Sequence, residues 1–319
     1  MTSKDKIVAL CGGVGGAKLA LGLARIVPAD RLTIIVNTGD DFSHLGLHVS
    51  PDIDTVVYTL SGLANREQGW GLEGETWHFM RSLERLGGET WFRLGDSDLA
   101  MHVERTRRLA AGETLSAITK DLAARLGVGP AILPMSDAAV RTILHTDEGI
   151  LPFQDYFVRR RTEPSVQRIE ITGASEAAPS PAAVTALDDP ALGLIVICPS
   201  NPWLSVLPLL ETGDFRARLA AARCPVVAVT PVIAGAAVKG PTARLMAQLG
   251  LDVSAASVAR FYAGLADGFL LDAQDRYLVP EIASLGLAVA TAPTLMTDLD
   301  SRMALAQETL AFGFGLAQA

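Results

Sequence analysis

A glycine-rich loop near the start of the chain has the residue types of a phosphate-binding turn. Gly12-Gly13-Val14-Gly15-Gly16 follows a short apolar run, and Lys18 comes two residues later. Glycines let a backbone approach a ligand closely, and a helix that begins after them offers free N–H groups and a partial positive charge to an anion. Lys18, however, stands where the dinucleotide pattern Gly-x-Gly-x-x-Gly needs its third glycine, and the loop lacks Gly-Lys-Ser/Thr. The loop therefore predicts phosphate binding without naming the nucleotide, and a purely structural tight turn is the alternative.

Carboxylates cluster on two further turns, where they could bind a polyol hydroxyl or a divalent metal ion. Asp40 and Asp41 follow a second apolar run, and Asp52 and Asp54 lie in the stretch Ser-Pro-Asp-Ile-Asp-Thr. We expect a helix to begin near Thr55, with either Asp52 or Asp54 as its cap and the other facing the site. So many carboxylates in one crevice repel each other unless a cation or a hydroxyl-rich ligand is present.

A third polar turn, Pro199-Ser200-Asn201-Pro202, follows another apolar run in the second half of the chain. The Asn201 amide can both donate and accept hydrogen bonds, which suits a phosphate, a ribose or a base edge. Pro202 suits the first turn of a helix, whose N–H groups would again face an anion. The turn predicts ligand binding, and simple turn chemistry is the alternative.

The elements that must position these turns read as alternating strands and helices. Short apolar runs typical of buried parallel strands are 7–11, 32–36, 194–198 and 226–229, with shorter candidates at 269–271 and 287–290. Helical spacing separates them, at 17–26, 243–249, 258–265 and about 300–312. The predicted fold class is α/β, a Rossmann-like, doubly wound and mostly parallel sheet with a mainly helical insertion. Ligands of such sheets bind at the carboxyl ends of the strands. This rule selects the glycine loop, the turn at 37–41, the turn at 200–201 and the loop after Ala290.

The middle of the chain has a different composition. The stretch from about Asn65 to Gly149 is rich in helix formers and holds three of the four tryptophans, Trp70, Trp77 and Trp91. We divide the chain into a nucleotide- and phosphate-binding core at 1–64 and 170–319 and a mainly helical insertion at 65–169. A strand is expected at 169–172, and 177–190, rich in Ala, Pro and Ser, is expected to be a surface connection.

Composition excludes several classes of protein. The 319 residues carry a formal net charge of −8 at pH 7, which is unsuited to general nucleic-acid binding because phosphate-backbone affinity needs clustered Lys and Arg. No run approaches the roughly 18 to 20 apolar residues of a membrane helix. The N-terminus shows no signal-peptide pattern. We expect a cytoplasmic protein that binds small molecules, with neither nucleic acid nor a membrane as a partner.

Taken together in order, the motifs resemble those of the 2-phospho-L-lactate transferase family (CofD-like). No motif is specific alone, but the matching order covers nearly the whole chain. The stretches that carry the resemblance are 12–19, 37–41, 50–55, 94–96, 132–137, 153–157, 199–202 and 294–296.

The resemblance implies a step in the biosynthesis of the deazaflavin coenzyme F(420). Members of the family transfer a phosphorylated three-carbon acid from a guanosine diphosphate-linked donor to 7,8-didemethyl-8-hydroxy-5-deazariboflavin. The acceptor atom is the terminal ribityl hydroxyl, and GMP leaves. The family also implies a divalent metal, usually Mg²⁺, and a homodimer. The insertion would then cover the acceptor site.

The resemblance also implies roles for particular residues. Asp54 and Arg93 are expected to bind the deazaflavin. One of Asp40, Asp52 and Asp54 is expected to hold the metal or orient the hydroxyl, with Asp40 and Asp52 as the metal candidates. The residues expected to bind the guanosine donor are Gly12, Gly13, Gly15, Ser200 and Asn201, with Lys18 as a weaker phosphate candidate.

Two features leave alternatives open. Ser97, in the turn after Gly95, stands where a basic residue is expected in some relatives, so phospholactate, phosphoenolpyruvate and phosphoglycerate donors all fit the sequence. Asp40 could hold a ribose in a nicotinamide-dependent dehydrogenase, although Lys18 breaks the glycine pattern of that class. A non-catalytic regulatory protein that binds a nucleotide or nucleotide sugar is the other alternative.

Overall fold

The strands form a central sheet and three small accessory sheets. The computed structural model describes residues 5–65, 69–237 and 241–318. The strands are, in chain order, β1 (Lys6–Cys11), β2 (Leu32–Val36), β3 (Phe42–His44), β4 (Leu47–Val49), β5 (Ala131–Pro134), β6 (Arg141–Thr146), β7 (Gly149–Pro152), β8 (Val166–Thr172), β9 (Leu192–Ile197), β10 (Val226–Val229), β11 (Val232–Ile233), β12 (Ala236–Ala237), β13 (Gly268–Asp272) and β14 (Ala288–Ala292).

Helices fill most of the segments between the strands. The α-helices are α1 (Gly13–Ile26), α2 (Pro51–Ser61), α3 (His78–Arg85), α4 (Asp96–Ala110), α5 (Leu115–Arg125), α6 (Pro181–Leu187), α7 (Leu207–Glu211), α8 (Phe215–Ala220), α9 (Thr242–Gln248), α10 (Ala255–Tyr262), α11 (Val279–Ala283) and α12 (Leu299–Leu316). Short 3₁₀ turns cover Ala29–Arg31 and Ala273–Leu278, and single π-helical turns cover Asp155–Arg159 and Pro202–Val206. Within the described ranges, no helix is both long and apolar enough to cross a bilayer.

The central sheet confirms the predicted α/β class. Its seven strands lie in the order β14-β13-β10-β9-β1-β2-β5, and every neighbouring pair is parallel. The chain winds outward from β1 to β5 on one side and from β9 to β14 on the other. β1 and β9 are therefore the neighbours at which the winding reverses, and Leu10 pairs with Ile197 close to their carboxyl ends. Ligands of doubly wound sheets bind in the crevice at this switch point.

Two apolar layers hold the sheet between helices. Side chains alternate between its faces along each strand, so Ile7 and Ala9 of β1 pack into one layer while Val8 and Leu10 pack into the other. The first layer is completed by α1, α2, α5 and α12, and the second by helices α6 to α10. Because both faces are covered, the central strands read as continuous apolar runs, which is why the sequence revealed them.

The middle segment differs from the predicted insertion. Residues 78–125 do form three helices, α3 to α5, but the chain then returns to the sheet as β5, which pairs with β2. β6, β7 and β8 follow as an antiparallel sheet in the order β7-β6-β8. The range 65–169 is therefore not one helical unit. The prediction missed β5 because this four-residue strand is too short to stand out from its helix-rich surroundings. The strand expected at 169–172 is present within β8.

Two helices also differ from the expectation, one in its presence and the other in where it begins. The stretch 177–190 is not a simple surface connection, since Ser180 caps α6 there by accepting a hydrogen bond from the N–H of Ala183. Helix α1 begins at Gly13 rather than Ala17. Gly13 has a φ of +62°, a conformation that glycine adopts without strain, and this lets the chain turn from β1 directly into the helix.

Candidate active site at the switch point of the sheet

The loops that leave β1 and β9 are joined by one serine. The Ser200 hydroxyl accepts from the N–H of Gly12 at 3.0 Å and donates to the carbonyl of Gly12 at 2.8 Å. Ser200 is buried, so both hydrogen bonds are shielded from water. Gly12 and Ser200, both predicted to bind the donor, are thus adjacent. The Ser200 side chain fixes one loop against the other.

The glycine loop packs against the β9 loop without room for a side chain at Gly15. A Cβ on Gly15 would overlap the carbonyl oxygen of Pro199. The loop itself forms the first turn of α1, where N–H groups have no carbonyl one helical turn earlier. The N–H of Gly13 is held by the Asp52 carboxylate. The N–H groups of Val14 and Gly15, which line the cavity, are therefore the part of this turn suited to an incoming phosphate.

Asp52 lies in the first turn of α2 and faces the glycine loop. Its Oδ2 accepts from Nδ2 of Asn37 at 2.9 Å, and Asn37 also accepts from the N–H of Gly39. Burial raises the pKa of Asp52 to about 6, against the hydrogen bonds from Asn37 and Gly13, which lower it. A carboxylate with this pKa is mostly ionised at neutral pH and can still accept and return a proton.

Asp40 and Asp41 bring further negative charge to the same crevice. Both are buried, and one oxygen of each, Oδ1, has no hydrogen-bond partner in the described part of the chain. Burial, followed by repulsion from Asp52 and Asp41, raises the pKa of Asp40 well above its usual range. The other oxygen of Asp41 accepts from Ser50 and lies 3.1 Å from Nε2 of His48. Asp40 is thus the carboxylate of this crevice whose negative charge is least balanced by hydrogen bonds or a neighbouring cation.

These carboxylates suit Mg²⁺ rather than a metal held by the protein alone. No group of three or more His, Cys, Asp or Glu side chains in residues 5–65, 69–237 and 241–318 is arranged to hold a metal. Mg²⁺ commonly binds through one or two carboxylates and completes its shell with water and substrate phosphates. Asp40 and Asp52, which both line the cavity beside the glycine loop, are a donor set of that kind.

Asp54 does not share the position of Asp52. Both Arg105 amino groups donate to its two carboxylate oxygens, Nη1 to Oδ2 at 3.1 Å, and Nδ1 of His102 lies 3.7 Å from Oδ2. The pKa of Arg105 is raised, because attraction to Asp54 outweighs the burial that would lower it. Asp54 is buried in this ion pair and does not line the cavity. Its expected contact with the deazaflavin therefore stays a prediction that this geometry does not support.

The expectation that Asp52 or Asp54 caps the helix near Thr55 was wrong. α2 begins at Pro51, with Ser50 as the preceding residue, so Asp52 and Asp54 both lie inside the first turn. Neither acts as a side-chain cap, since Asp52 turns to Asn37 and Asp54 to Arg105. Proline at the first helical position starts the helix four residues earlier than expected.

A cavity of about 520 Å³ joins the glycine loop to a group of aromatic side chains. Arg93 lies on its wall, with its guanidinium 4.1 Å from the centre of the Trp77 ring. The rings of Phe153 and Phe157 are nearly parallel, at an interplanar angle of 8° and 5.4 Å between centres. The aromatic residues that line the cavity are Trp70, Trp91, Phe92, Phe153 and Phe157. Such a wall suits a flat, partly apolar ring system.

Asn201 and Lys18 line the cavity, but their side chains also have partners within the protein. Asn201 Oδ1 accepts from the N–H groups of Trp203 and Leu204, capping the π-helical turn, and its Nδ2 donates to Thr242. Lys18 Nζ donates to the carbonyl of Met296 at 2.8 Å. The predicted role of the Asn201 amide toward a ligand is therefore largely replaced by a structural one, while its loop still borders the site.

Replacing Ser200 by alanine tests the connection between the two loops. Ser200→Ala leaves the buried N–H of Gly12 unpaired and removes the hydroxyl that donates to its carbonyl, so we expect the free energy of unfolding to fall by about 1–3 kcal/mol. Urea denaturation measures this change. The exposed Ser284, whose hydroxyl donates to Glu281, provides the matched Ser→Ala control and should stay near wild type. Equal effects of the two substitutions would contradict the assigned role of Ser200.

Several site residues had no assigned role at the level of sequence. Arg105 lies in a run of charged residues typical of a solvated helix face, and nothing in that run indicates burial. Gln154, Phe153 and Phe157 belong to a stretch that supports the family resemblance but carries no recognisable chemical motif. Asn37 had a usable signal, because it follows β2 directly and begins the turn that carries Asp40 and Asp41.

Fold and site together define a Rossmann-like α/β protein whose cavity, at the switch point, combines a phosphate-type glycine turn, carboxylates and an aromatic wall. The family model for 2-phospho-L-lactate transferase CofD matches residues 7–289. The chain belongs to this family. Members of the family are transferases, and the comparisons lend no support to a non-catalytic nucleotide-binding protein.

Curated relatives match over almost the full chain. A phosphoenolpyruvate transferase of Streptomyces griseus is 41% identical, covering 96% of this chain and 97% of its own length. A 2-phospho-L-lactate transferase of Methanosarcina mazei is 38% identical, covering 94% and 98%. A crystal structure of a Bacillus halodurans protein described as a member of the UPF0052 family shares the fold, with a TM-score of 0.64 at 16% identity. It covers 96% of this chain and 99% of its own.

Proposed function

We propose that this protein transfers a phosphorylated three-carbon acid from a guanosine diphosphate-linked donor to the ribityl hydroxyl of 7,8-didemethyl-8-hydroxy-5-deazariboflavin and releases GMP. The observation that carries the proposal is the single cavity in which a phosphate-type turn and an aromatic wall meet beside Asp40 and Asp52. A diphosphate at Val14 and Gly15 would point its terminal phosphorus toward these carboxylates. The family membership and the activities named for the relatives support this chemistry.

The reaction is a displacement at the phosphorus that bears the acid. The ribityl oxygen forms the new P–O bond as the bond to the GMP oxygen breaks, and the hydroxyl proton must be removed. Asp52, with a pKa of about 6, is our choice for the group that orients the hydroxyl and accepts that proton. The N–H groups at the start of α1 stabilise negative charge on the phosphate oxygens. Arg93 and the aromatic wall hold the acceptor ring.

Magnesium fits the residues present. Asp40 offers a buried carboxylate oxygen without a partner, and Asp52 offers a second carboxylate on the same wall. A bound Mg²⁺ would supply charge neutralisation for the transferred phosphate. We therefore propose Asp40 as the protein ligand of the metal, which leaves the other candidate, Asp52, to accept the hydroxyl proton.

Magnesium should stabilise the protein through Asp40. At Mg²⁺ ten times above its dissociation constant, we expect about 1.4 kcal/mol of added stability in the wild type, because the ion binds the folded state alone. Asp40→Asn should lose this gain, since its amide carries no charge to compensate the ion. Thermal denaturation with and without MgCl₂ measures it. An undiminished magnesium effect in Asp40→Asn would remove this residue from the metal site.

The proposed activity is tested by direct turnover. Protein, Mg²⁺ and the deazaflavin are mixed with each guanosine-linked donor in turn, carrying phospholactate, phosphoenolpyruvate or phosphoglycerate. We expect stoichiometric GMP and a phosphodiester of the deazaflavin with at least one donor. Omitting the deazaflavin controls for donor hydrolysis. Tight donor binding without product from any of the three would instead support a regulatory nucleotide-binding protein.

The assembly implied by the resemblance and the location expected from the sequence remain proposals. We propose a homodimer in the cytoplasm. Light scattering on the purified protein tests the first, with a mass near twice the 33.6 kDa of one chain as the expected result. Fractionation of the source cells tests the second.

A further inference from the structure

Gln154 is a buried amide that the proposed chemistry does not yet use. It precedes the π-helical turn Asp155–Arg159, lines the cavity and is only 6% exposed. Its side chain makes no hydrogen bond to any part of the chain that the structure describes. The residue is largely buried, but its amide is open to the space of the cavity, where a ligand can supply the hydrogen-bond partners that the protein does not.

Other amides around the site show what a satisfied group looks like. Gln248, beside the same turn, accepts from the Tyr156 hydroxyl and the N–H of Val166 and donates to the carbonyl of Pro164. Asn201, which also lines the cavity, has partners for both its oxygen and its nitrogen. Gln154 therefore differs from Gln248 and Asn201 in having an amide with no partner in the described part of the chain.

The surroundings of Gln154 indicate the shape of that ligand. Phe153 and Phe157 flank it in sequence, line the cavity and present nearly parallel rings. The same turn reaches the tryptophan wall, because Arg159 lies over the Trp91 ring at 5.8 Å and pairs with Asp155 at 3.5 Å. Gln154 thus faces the aromatic end of the cavity, where a flat ring would present its edge to the amide.

We propose that Gln154 is a specificity-determining residue that reads the imide edge of the acceptor ring. This rests on the proposed function, whose deazaflavin acceptor carries a pyrimidinedione with an N–H between two carbonyls. The amide Nε2 donates to a ring carbonyl, and Oε1 accepts from the ring N–H. A primary amide is the side chain that matches such a donor–acceptor pair without a charge.

Replacing the amide by an apolar chain of similar length removes both hydrogen bonds. We expect Gln154→Met to raise the deazaflavin KM about tenfold, with kcat and the donor KM little changed. Gln307→Met, at an exposed position on α12, is the matched control and should leave all three parameters unchanged. Urea denaturation of each variant confirms that both are folded.

A change in the acceptor provides the second half of the test. The wild type should lose about tenfold in affinity for deazaflavin methylated on the imide nitrogen, while Gln154→Met should bind both acceptors equally, as measured by calorimetric titration. Equal losses in wild type and variant would overturn the proposal, and a raised donor KM alone would assign Gln154 to the guanine instead. If the wild type turns over but Gln154→Met matches it, only this inference fails. If the wild type binds no deazaflavin, the proposed function fails with it.

Discussion

Replacing Arg105 by methionine should lower the free energy of unfolding by about 3–5 kcal/mol. Arg105 is 2% exposed, and its guanidinium binds both oxygens of Asp54, which is itself buried. Methionine fills similar space but leaves the Asp54 carboxylate in the protein interior without its cation. Chemical denaturation, with the midpoint and slope both measured, gives the change directly.

A neighbouring arginine makes the control for this experiment. Arg107, two residues along α4, pairs with Glu104 at the surface, so Arg107→Met should stay close to wild type. Adding Asp54→Asn to Arg105→Met removes the stranded charge and should recover part of the lost stability. If Arg105→Met lowers the free energy of unfolding no more than Arg107→Met does, the buried ion pair stabilises the protein no more than an exposed one.

Replacing Gly15 by alanine should lower kcat/KM for the guanosine-linked donor by about a hundredfold. A Cβ at Gly15 overlaps the carbonyl oxygen of Pro199, so the loops after β1 and β9 must move apart. That movement displaces the N–H groups of the α1 terminus from the donor phosphates, and misplacement by about 1 Å is enough for an effect of this size. Steady-state kinetics with the donor as the varied substrate measures it.

Gly315 provides the matched Gly→Ala control. It lies in α12, and a Cβ there meets no atom within 4 Å. Gly315→Ala should leave turnover unchanged and stabilise the helix slightly, because alanine is the better helix former. Wild-type kinetics in Gly15→Ala would mean that the contact between these loops does not position the donor.

The sheet was predictable from sequence because its signals are local. Doubly covered strands such as β1 and β9 are uninterrupted apolar runs, and the turns after them are marked by Gly12 and Pro199. The ligand-binding edge of the sheet followed, because ligands of such sheets bind at the carboxyl ends of the strands, whereas the strand order that makes β1 and β9 neighbours comes from the structure. β5 gave no comparable signal, since its four residues become a strand only by pairing with β2.

The details of the site depend on partners distant in the chain. Asp52 and Asp54 share one motif, yet Asn37 holds the first at the cavity and Arg105 buries the second. No pattern near Arg105 distinguishes it from the exposed Arg107, so only packing against α2 reveals its role. The insertion was expected to cover the acceptor site, but Phe153 and Phe157 line the cavity through a turn whose position sequence spacing does not fix.

A crystal structure with GDP and the deazaflavin bound would decide whether the switch point is the active site. We expect the diphosphate against the N–H groups of Val14 and Gly15, beside Asp40 and Asp52. The deazaflavin ring should lie between Arg93 and the phenylalanine pair, with its ribityl hydroxyl toward the terminal phosphorus. A nucleotide bound elsewhere on the molecule, with the glycine loop empty at saturating GDP, would contradict the account.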